Sequence, residues 1–158
     1  MNREIKAFLG IQAKISAAFN FFISGMITAL VYHSVDIVPL DPVSVAIDLV
    51  ITCLLTFTIT ACFCRASLKS TKTAGILPPP NILLRFLARL FKFPLAFGVL
   101  LGLAVATVLF AVIVPGLVLL KITALPFYPY VFIKAFSCML FGSGVNLLEL
   151  YIGMCQTE

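Results

Sequence analysis

The stretch VSVAIDLVITCLLTFTITACFC, residues 43–64, decides the fold of this chain. It is apolar enough to cross a bilayer and long enough, because about 20 residues suffice. Within it every fourth position carries a polar group, in the series Asp48, Thr52, Thr56 and Thr60. Residues four apart lie on one face of a helix. The sequence therefore predicts a membrane helix whose polar face turns toward protein or water and whose other face contacts lipid.

Three further apolar stretches carry small or polar residues at the same spacing. These columns are Ser16-Asn20-Ser24-Thr28, Gly98-Gly102-Ala106 and Lys134-Cys138-Gly142-Asn146. Lipid gives helices no hydrophobic reason to associate, so they pack through close backbone approach and interhelical hydrogen bonds. We predict four transmembrane helices at residues 15–33, 43–64, 94–114 and 130–151. The positions expected to pack helix against helix are Gly98, Gly102, Ala106 and Gly142.

The composition supports a membrane protein without reference to any single segment. Hydrophobic residues make up 62% of the 158 positions and charged residues 11%, whereas soluble domains are about half apolar and a quarter charged. The fold class is therefore an all-α polytopic membrane protein with one membrane domain over residues 1–158. The run 15–31 is too long for a signal-peptide core and lacks a cleavage site, so we expect it to be retained. The five cysteines are odd in number and show no C-x-x-C spacing, which predicts neither a disulfide framework nor a zinc site.

The distribution of charge predicts the orientation in the membrane. The net charge is +5, and nine of the basic residues occupy the N-terminal segment and the segment between the second and third spans: Arg3, Lys6, Lys14, Arg65, Lys69, Lys72, Arg85, Arg89 and Lys92. The loop 34–41 instead carries Asp36 and Asp41 without Lys or Arg. By the positive-inside rule both termini and the central segment are cytoplasmic, which places the protein in the cell membrane. An anionic inner leaflet is then the expected partner of the basic groups, and nothing indicates nucleic-acid binding.

The central segment divides into a hydrophilic part and an amphipathic part. Residues 65–80 are predicted to form a cytoplasmic basic loop that ends in a stiff three-proline spacer. Asn81 is a candidate N-cap for an interfacial helix over residues 82–93. On that helix Arg85, Arg89 and Lys92 fall within about 60° of arc, so they are expected to meet lipid headgroups. In the third apolar run we expect the helix to end or kink at Pro115-Gly116.

A faint internal repeat suggests a parallel tandem duplication of a two-helix unit. The tetrapeptide Arg3-x-x-Lys6 recurs as Arg89-x-x-Lys92, and Pro39-x-x-Pro42 recurs as Pro126-x-x-Pro129. Each half then consists of a basic lead-in, a span, an outer loop and a second span, with a pseudo-axis along the membrane normal. Two short matches also arise by chance, and the halves share little identity elsewhere.

Two ionisable residues lie inside spans at matching depth. Asp48 is six residues past Pro42 and Lys134 is five past Pro129, which puts both roughly 8 Å below the outer surface at about 1.5 Å per residue. Charges inside a membrane are expensive, so we expect the two to pair. A functional pair switches partners or binds an ion or a charged group of a substrate. The structural alternative is a permanent pair, or two snorkelling side chains, that fixes the second helix to the fourth.

The remaining polar residues complete a candidate pathway for a substrate or an ion. Asn20 and Asn146 lie on the polar columns and could meet across the bundle, as packing contacts or as part of a pathway. Glu149 is close to the inner surface, where it is expected to reach water and to pair with a basic residue of the amphipathic helix, or to relay protons. The full candidate set is Asp48, Lys134, Asn20, Asn146, Thr52, Thr56, Thr60 and Glu149.

The sequence carries no signature of catalysis. It contains one histidine and no nucleotide-binding loop, metalloprotease motif or nucleophile elbow, so we predict no enzyme, no cofactor and no metal. The first function hypothesis is a small transporter or channel subunit for an ion or small solute, expected to be a homo-oligomer because four helices hardly enclose a wide pathway. The alternative is a non-catalytic membrane partner that packs against a larger complex.

Overall fold

The chain forms five helices and two short strands in the computed structural model, which describes residues 3–74, 76–78 and 81–155. The elements are α1 (Arg3–Val31), β1 (Ile37–Pro39), α2 (Pro42–Thr71), α3 (Ile82–Leu90), α4 (Pro94–Leu119), β2 (Ala124–Pro126) and α5 (Phe127–Met154). Helices α1, α2, α4 and α5 are long and apolar enough to span a membrane. The predicted class, a multi-pass helical membrane protein, is confirmed.

The four long helices are not arranged in chain order. Helix α1 packs against α5, α5 also packs against α2, and α2 packs against α4. Consecutive helices α1 and α2 are therefore held apart, with α5 between them. A single side-chain hydrogen bond, 3.4 Å from Gln12 Nε2 to Ser67 Oγ, joins α1 to α2 within the described residues.

The two ends of the bundle differ in construction. At one end, here called the loop end, β1 and β2 pair antiparallel with Val38 opposite Leu125. The backbone N–H of Phe127 also donates to Asp36 O at 3.0 Å, so the two loops form one cap. The opposite end, here called the terminal end, carries α3, the start of α1 and the end of α5. The sequence did not predict the pairing of the loop 34–41 with the second loop.

Helix α3 closes the terminal end. Asn81 is its N-cap, as predicted, and its Oδ1 accepts from the backbone N–H of Leu84 at 2.8 Å. The inner face of α3 buries Ala88, and Phe91 follows in the turn after the helix, while Arg85, Arg89 and Lys92 remain exposed. These contacts form the terminal cluster, a set of buried residues from four helices and the adjoining turns: Ala61, Cys64, Leu68, Ala88, Phe91, Phe97, Leu150, Ile152, Met154 and Cys155.

Several predicted boundaries were wrong, for identifiable reasons. Residues 65–71, expected as loop, continue α2, because Leu68 packs into the terminal cluster. Helix α4 runs through Pro115 to Leu119 instead of ending there. Backbone groups at membrane depth need partners within the helix, and this favours continuation past a single proline. Helix α1 includes the N-terminal lead-in, and α3 ends at Leu90, three residues before the predicted end. Residues 79 and 80 of the predicted proline spacer lie outside the described residues.

Candidate functional site

The separation of α1 from α2 leaves a long groove between them. Its walls are α1 from Gln12 to Tyr32 and α2 from Ser44 to Phe63, and its floor is α5. The volume within the groove is about 550 Å³. At about 1.5 Å per residue each wall is close to 30 Å long, which matches the hydrocarbon thickness of a bilayer. We refer to this space as the α1–α2 groove.

The polar columns of α1 and α2 both line this groove. Seven of the eight residues predicted for the pathway border it: Asn20, Asp48, Thr52, Thr56, Thr60, Lys134 and Asn146. The sequence interpretation left out three groups that also line it, namely Ser16, Ser24 and Thr28, although they share the column of Asn20. Their four-residue spacing in the column of Asn20 was the sequence feature that could have identified them as groove residues. The two columns face the groove, and since the groove opens sideways, their orientation away from lipid stays a prediction.

The lips of the groove are apolar and exposed. They are formed by the residues that precede each polar position on the two walls: Ile15, Phe19, Ile27, Val31, Ile47, Ile51, Leu55 and Ile59. Hydrocarbon or the apolar surface of another helix suits such lips. The groove thus combines polar side chains along its interior with a surface that is mostly apolar, and it opens sideways between its lips.

Asp48 and Lys134 form the ion pair expected from their matching depth. The Lys134 ammonium donates to Asp48 Oδ2 and, at 2.9 Å, to Thr52 Oγ1. The Lys134 side chain is 15% exposed and that of Asp48 is 30% exposed. The pair joins α2 to α5 beside the loop end of the groove, and both charges remain accessible from it. Its geometry fits a structural tie and a switching pair equally.

Above the pair, Asp41 caps the first turn of α2. Its Oδ1 accepts from the backbone N–H groups of Val43 and Ser44, each at 3.0 Å, and its Oδ2 accepts from Ser44 Oγ. The Ser44 hydroxyl and these N–H groups hold the pKa of the exposed Asp41 carboxyl below its usual value. Asp41 therefore stays anionic at the loop end of the bundle, outside the residues that line the groove.

Asn20 and Gly142 form the close contact between α1 and α5. A Cβ built on Gly142 would collide with the Asn20 amide, so a larger residue there requires the Asn20 side chain to move. Ser16 Oγ donates to Gly142 O at 3.2 Å, and Asn20 Nδ2 donates to Ser16 O at 2.8 Å. Asn20 and Asn146 do not hydrogen-bond to each other, which corrects the suggestion that they meet. Asn146 Nδ2 lies 3.4 Å from Cys64 Sγ instead.

The predicted packing column of α4 lies directly on α2. A Cβ on Gly98 would be 2.5 Å from Thr58 Cα, and one on Gly102 would be 3.1 Å from Cys53 O. Ala106 is buried in a second apolar cluster with Cys53, Phe57 and Val145. These contacts agree with a packing role for all three positions.

Several hydroxyl groups in the groove are available to a guest. A lipid-facing threonine ordinarily bonds its own helix, as Thr107 does by donating to Leu103 O at 2.9 Å. No such bond is found within the described residues for Ser24, Thr28, Thr56 or Thr60. These four hydroxyls offer hydrogen bonds to water or to a polar solute in the groove.

Glu149 lies where the sequence did not predict it. We expected it to reach water and to pair with a basic residue of the amphipathic helix, but its side chain is 0% exposed. Neither carboxyl oxygen has a hydrogen-bond partner within the described part of the chain, and the same is true of Asn146 Oδ1. Glu149 does not border the groove; it lies one helical turn beyond Asn146, at the terminal end.

Similarity to other proteins does not assist the assignment. No protein family, curated protein or solved structure matches this chain. The groove and the groups that line it are therefore the features that indicate a function. Within the described residues no group of three or more His, Cys, Asp or Glu side chains could hold a metal ion.

Proposed function

We propose that the protein transports an ion or a small polar solute across the cell membrane along the α1–α2 groove. One observation carries the proposal: polar residues from three helices, from Ser16 on α1 to Asn146 on α5, border one groove of membrane depth. Water and polar solutes need such groups to replace their lost hydration. Asp48 and Lys134 offer both signs of charge near the loop end, and the hydroxyls of Thr56 and Thr60 continue the row of polar groups toward the terminal end.

A second copy is expected to complete the pathway. The groove is open along its side, so a single chain does not separate a solute from lipid. The apolar lips on α1 and α2 form two parallel ridges, and these suit packing against the same ridges of a partner. The proposal therefore includes a homo-oligomer that closes the groove.

We place both termini in the cytoplasm, because of the surface of α3. Arg85, Arg89 and Lys92 are exposed along one side of this helix, and Ile82 and Phe86 are exposed beside them. A helix with this pattern lies in the headgroup region, with apolar side chains in the acyl layer and basic ones near phosphate. Each basic group contributes about 1 kcal/mol at an anionic surface, which favours the inner leaflet.

We infer that the chain arose by tandem duplication, and the packing supports this. A shift of 86 positions relates Asp48 to Lys134, and it carries the polar column of α2 onto the column of α5. A pseudo-twofold axis would exchange α1 with α4 and α2 with α5, so that the α1–α5 contact corresponds to the α4–α2 contact. The space equivalent to the groove is filled by Phe57, Phe141 and other apolar residues of the second cluster. The gap between α1 and α2 thus kept polar residues, whereas the equivalent gap between α4 and α5 became part of the apolar core.

Thiol labelling separates transport from the alternative, a membrane partner whose groove is filled by another protein's helix. In a background with the native cysteines replaced, Thr52, Thr56 and Thr60 are changed singly to cysteine and treated in proteoliposomes with a charged thiol reagent. A transport groove contains water, so we expect all three to react. Val108→Cys is the lipid-facing control, because Val108 is exposed on α4 away from the groove, and Ala61→Cys is the buried control.

Labelling of the threonine positions no faster than the two controls would contradict a wet pathway and favour the packed-partner alternative. The observation that favours this alternative is the apolar lips of the groove, because a helix of another protein could pack between them. Labelling of Thr52→Cys alone, next to the ion pair, would also contradict the proposal, because a pathway must continue past Thr60.

A further inference from the structure

Glu149 is a buried carboxyl group that the groove does not use. Its two oxygens are without hydrogen-bond partners in the described residues, and its side chain is fully buried. Ionising such a group would cost several kcal/mol without a countercharge. Ionisable residues within membrane helices mark proton or ion pathways more often than structure.

The groups around Glu149 supply no positive charge. The titratable residue that faces it from α2 is Cys64, whose thiol also contacts Asn146. On α5 the neighbouring titratable groups are Tyr151 and Cys155, and burial raises the pKa of the Cys155 thiol. No ion pair to Glu149 is found among the described residues. The apolar side chains of α1, α3 and α4 that pack into the terminal cluster are Ile5, Phe8, Leu9, Leu84, Leu87, Ala88, Leu90, Phe97 and Leu101.

Glu149 is separated from the groove by one helical turn. Asn146 precedes it by three residues, so both project from neighbouring positions on α5. The Asn146 side chain borders the groove, and its Oδ1 is also without a partner among the described residues. Asn146 thus lies between the polar interior of the groove and the carboxyl group.

The terminal end forms a closed cap over this carboxyl. Gly153 is packed so tightly that a Cβ there would collide with the side chains of Leu68 and Phe91. The backbone N–H of Leu77 donates to Met154 O at 2.9 Å and holds the segment before α3 against the end of α5. Water reaches Glu149 from the terminal side only if α3 and this segment move away.

We propose that Glu149 is a proton-binding site that couples the groove to the opening of the terminal end. The carboxyl is protonated while the cap is closed, and it loses its proton to water when α3 separates from α5. The ligand of the site is a proton, and its coupling role rests on the proposed transport function. A proton gradient would then drive solute movement along the groove.

Infrared spectroscopy tests the protonation directly. The wild-type protein in lipid at pH 7 is expected to show a carbonyl-stretching band of a protonated carboxyl, which Glu149→Gln removes and Asp36→Asn retains. Asp36 is an exposed loop carboxyl and serves as the matched control. A spectrum without this band, or a band that survives Glu149→Gln, overturns the proposal.

Hydrogen exchange tests the coupling without any knowledge of the substrate. Closed protein binds one proton more than open protein, so closure loses stability as pH rises. The measured quantity is the ratio of the α3 amide exchange rates in the wild type to those in Glu149→Gln. We expect this ratio to rise about tenfold per pH unit, over the range where Glu149 is ionised in the open form and neutral in the closed form. A ratio that is independent of pH overturns the coupling.

The tests require that the Glu149 variants fold. Glutamine and methionine both imitate a neutral carboxyl in size, so Glu149→Gln and Glu149→Met are expected to fold. Failure of both to fold would show that the carboxyl group is required for the fold itself and would overturn the proposal. A failure of the transport proposal is distinguishable, because it shows as unlabelled cysteines at Thr56 and Thr60 with the infrared band still present.

Discussion

Gly98→Leu is expected to destabilise the folded protein by about 3 kcal/mol or more, or to prevent folding. The reason is the proximity of α4 and α2: a Cβ at this position would lie 2.5 Å from Thr58 Cα and 2.8 Å from Thr58 N. These are backbone atoms, so no side-chain rotation relieves the clash, and α4 must withdraw from α2. The measurement is thermal or denaturant unfolding in detergent, followed by helix content.

Gly144→Leu is the matched control for this prediction. It makes the same substitution in the middle of a membrane helix, but a Cβ on Gly144 meets nothing within 4 Å. We expect the control to unfold within about 1 kcal/mol of the wild type, because it exchanges a poor helix former for a good one in open space. Equal destabilisation of both variants would mean that the glycine column is not a packing surface.

Lys134→Met is expected to destabilise the protein more than Asp48→Asn does. Removal of Lys134 leaves the Asp48 carboxylate without a partner among the described residues, whereas removal of Asp48 leaves Lys134 donating to Thr52 Oγ1. Breaking a fully buried pair costs about 3–5 kcal/mol, and we expect about 2–3 kcal/mol here because both groups keep some exposure. Unfolding of the purified variants, with Asp36→Asn as an exposed-carboxylate control, measures the difference.

The double variant separates a structural tie from a working pair. Asp48→Asn with Lys134→Met removes both charges, so its stability is expected to return to within about 1 kcal/mol of the wild type. If the pair takes part in transport, proteoliposome flux stays lost although the fold is restored. A double variant that is both stable and fully active would contradict a role of the pair in the pathway.

The sequence predicted those parts of the structure that follow from local periodicity. The four spans, the Asn81 cap and the columns that line the groove all depend on residues three or four apart on one helix. The Asp48–Lys134 pair could also be predicted, because the number of residues from Pro42 to Asp48 and from Pro129 to Lys134 gives both charges a matching depth. In each of these cases one helix, or the depth in the bilayer, supplies the constraint.

The features that the sequence did not predict depend on which helices become neighbours. Periodicity gives no helix order, so the separation of α1 from α2 and the resulting groove required the structure. The pairing of β1 with β2 joins two loops that look merely extended in isolation. Glu149 was expected at the surface from its place near a helix end. It is buried because α3 folds back over that end, a contact between segments about 60 residues apart.

A density map of the protein in a lipid bilayer is the most direct measurement of the arrangement described above. It is expected to show ordered water or solute along Thr52, Thr56 and Thr60, reaching the Asp48–Lys134 pair, with acyl chains against Ile, Leu and Phe on the opposite helix faces. A map in which Asp48 and these hydroxyls point outward at hydrocarbon would contradict the groove, and with it the proposed transport.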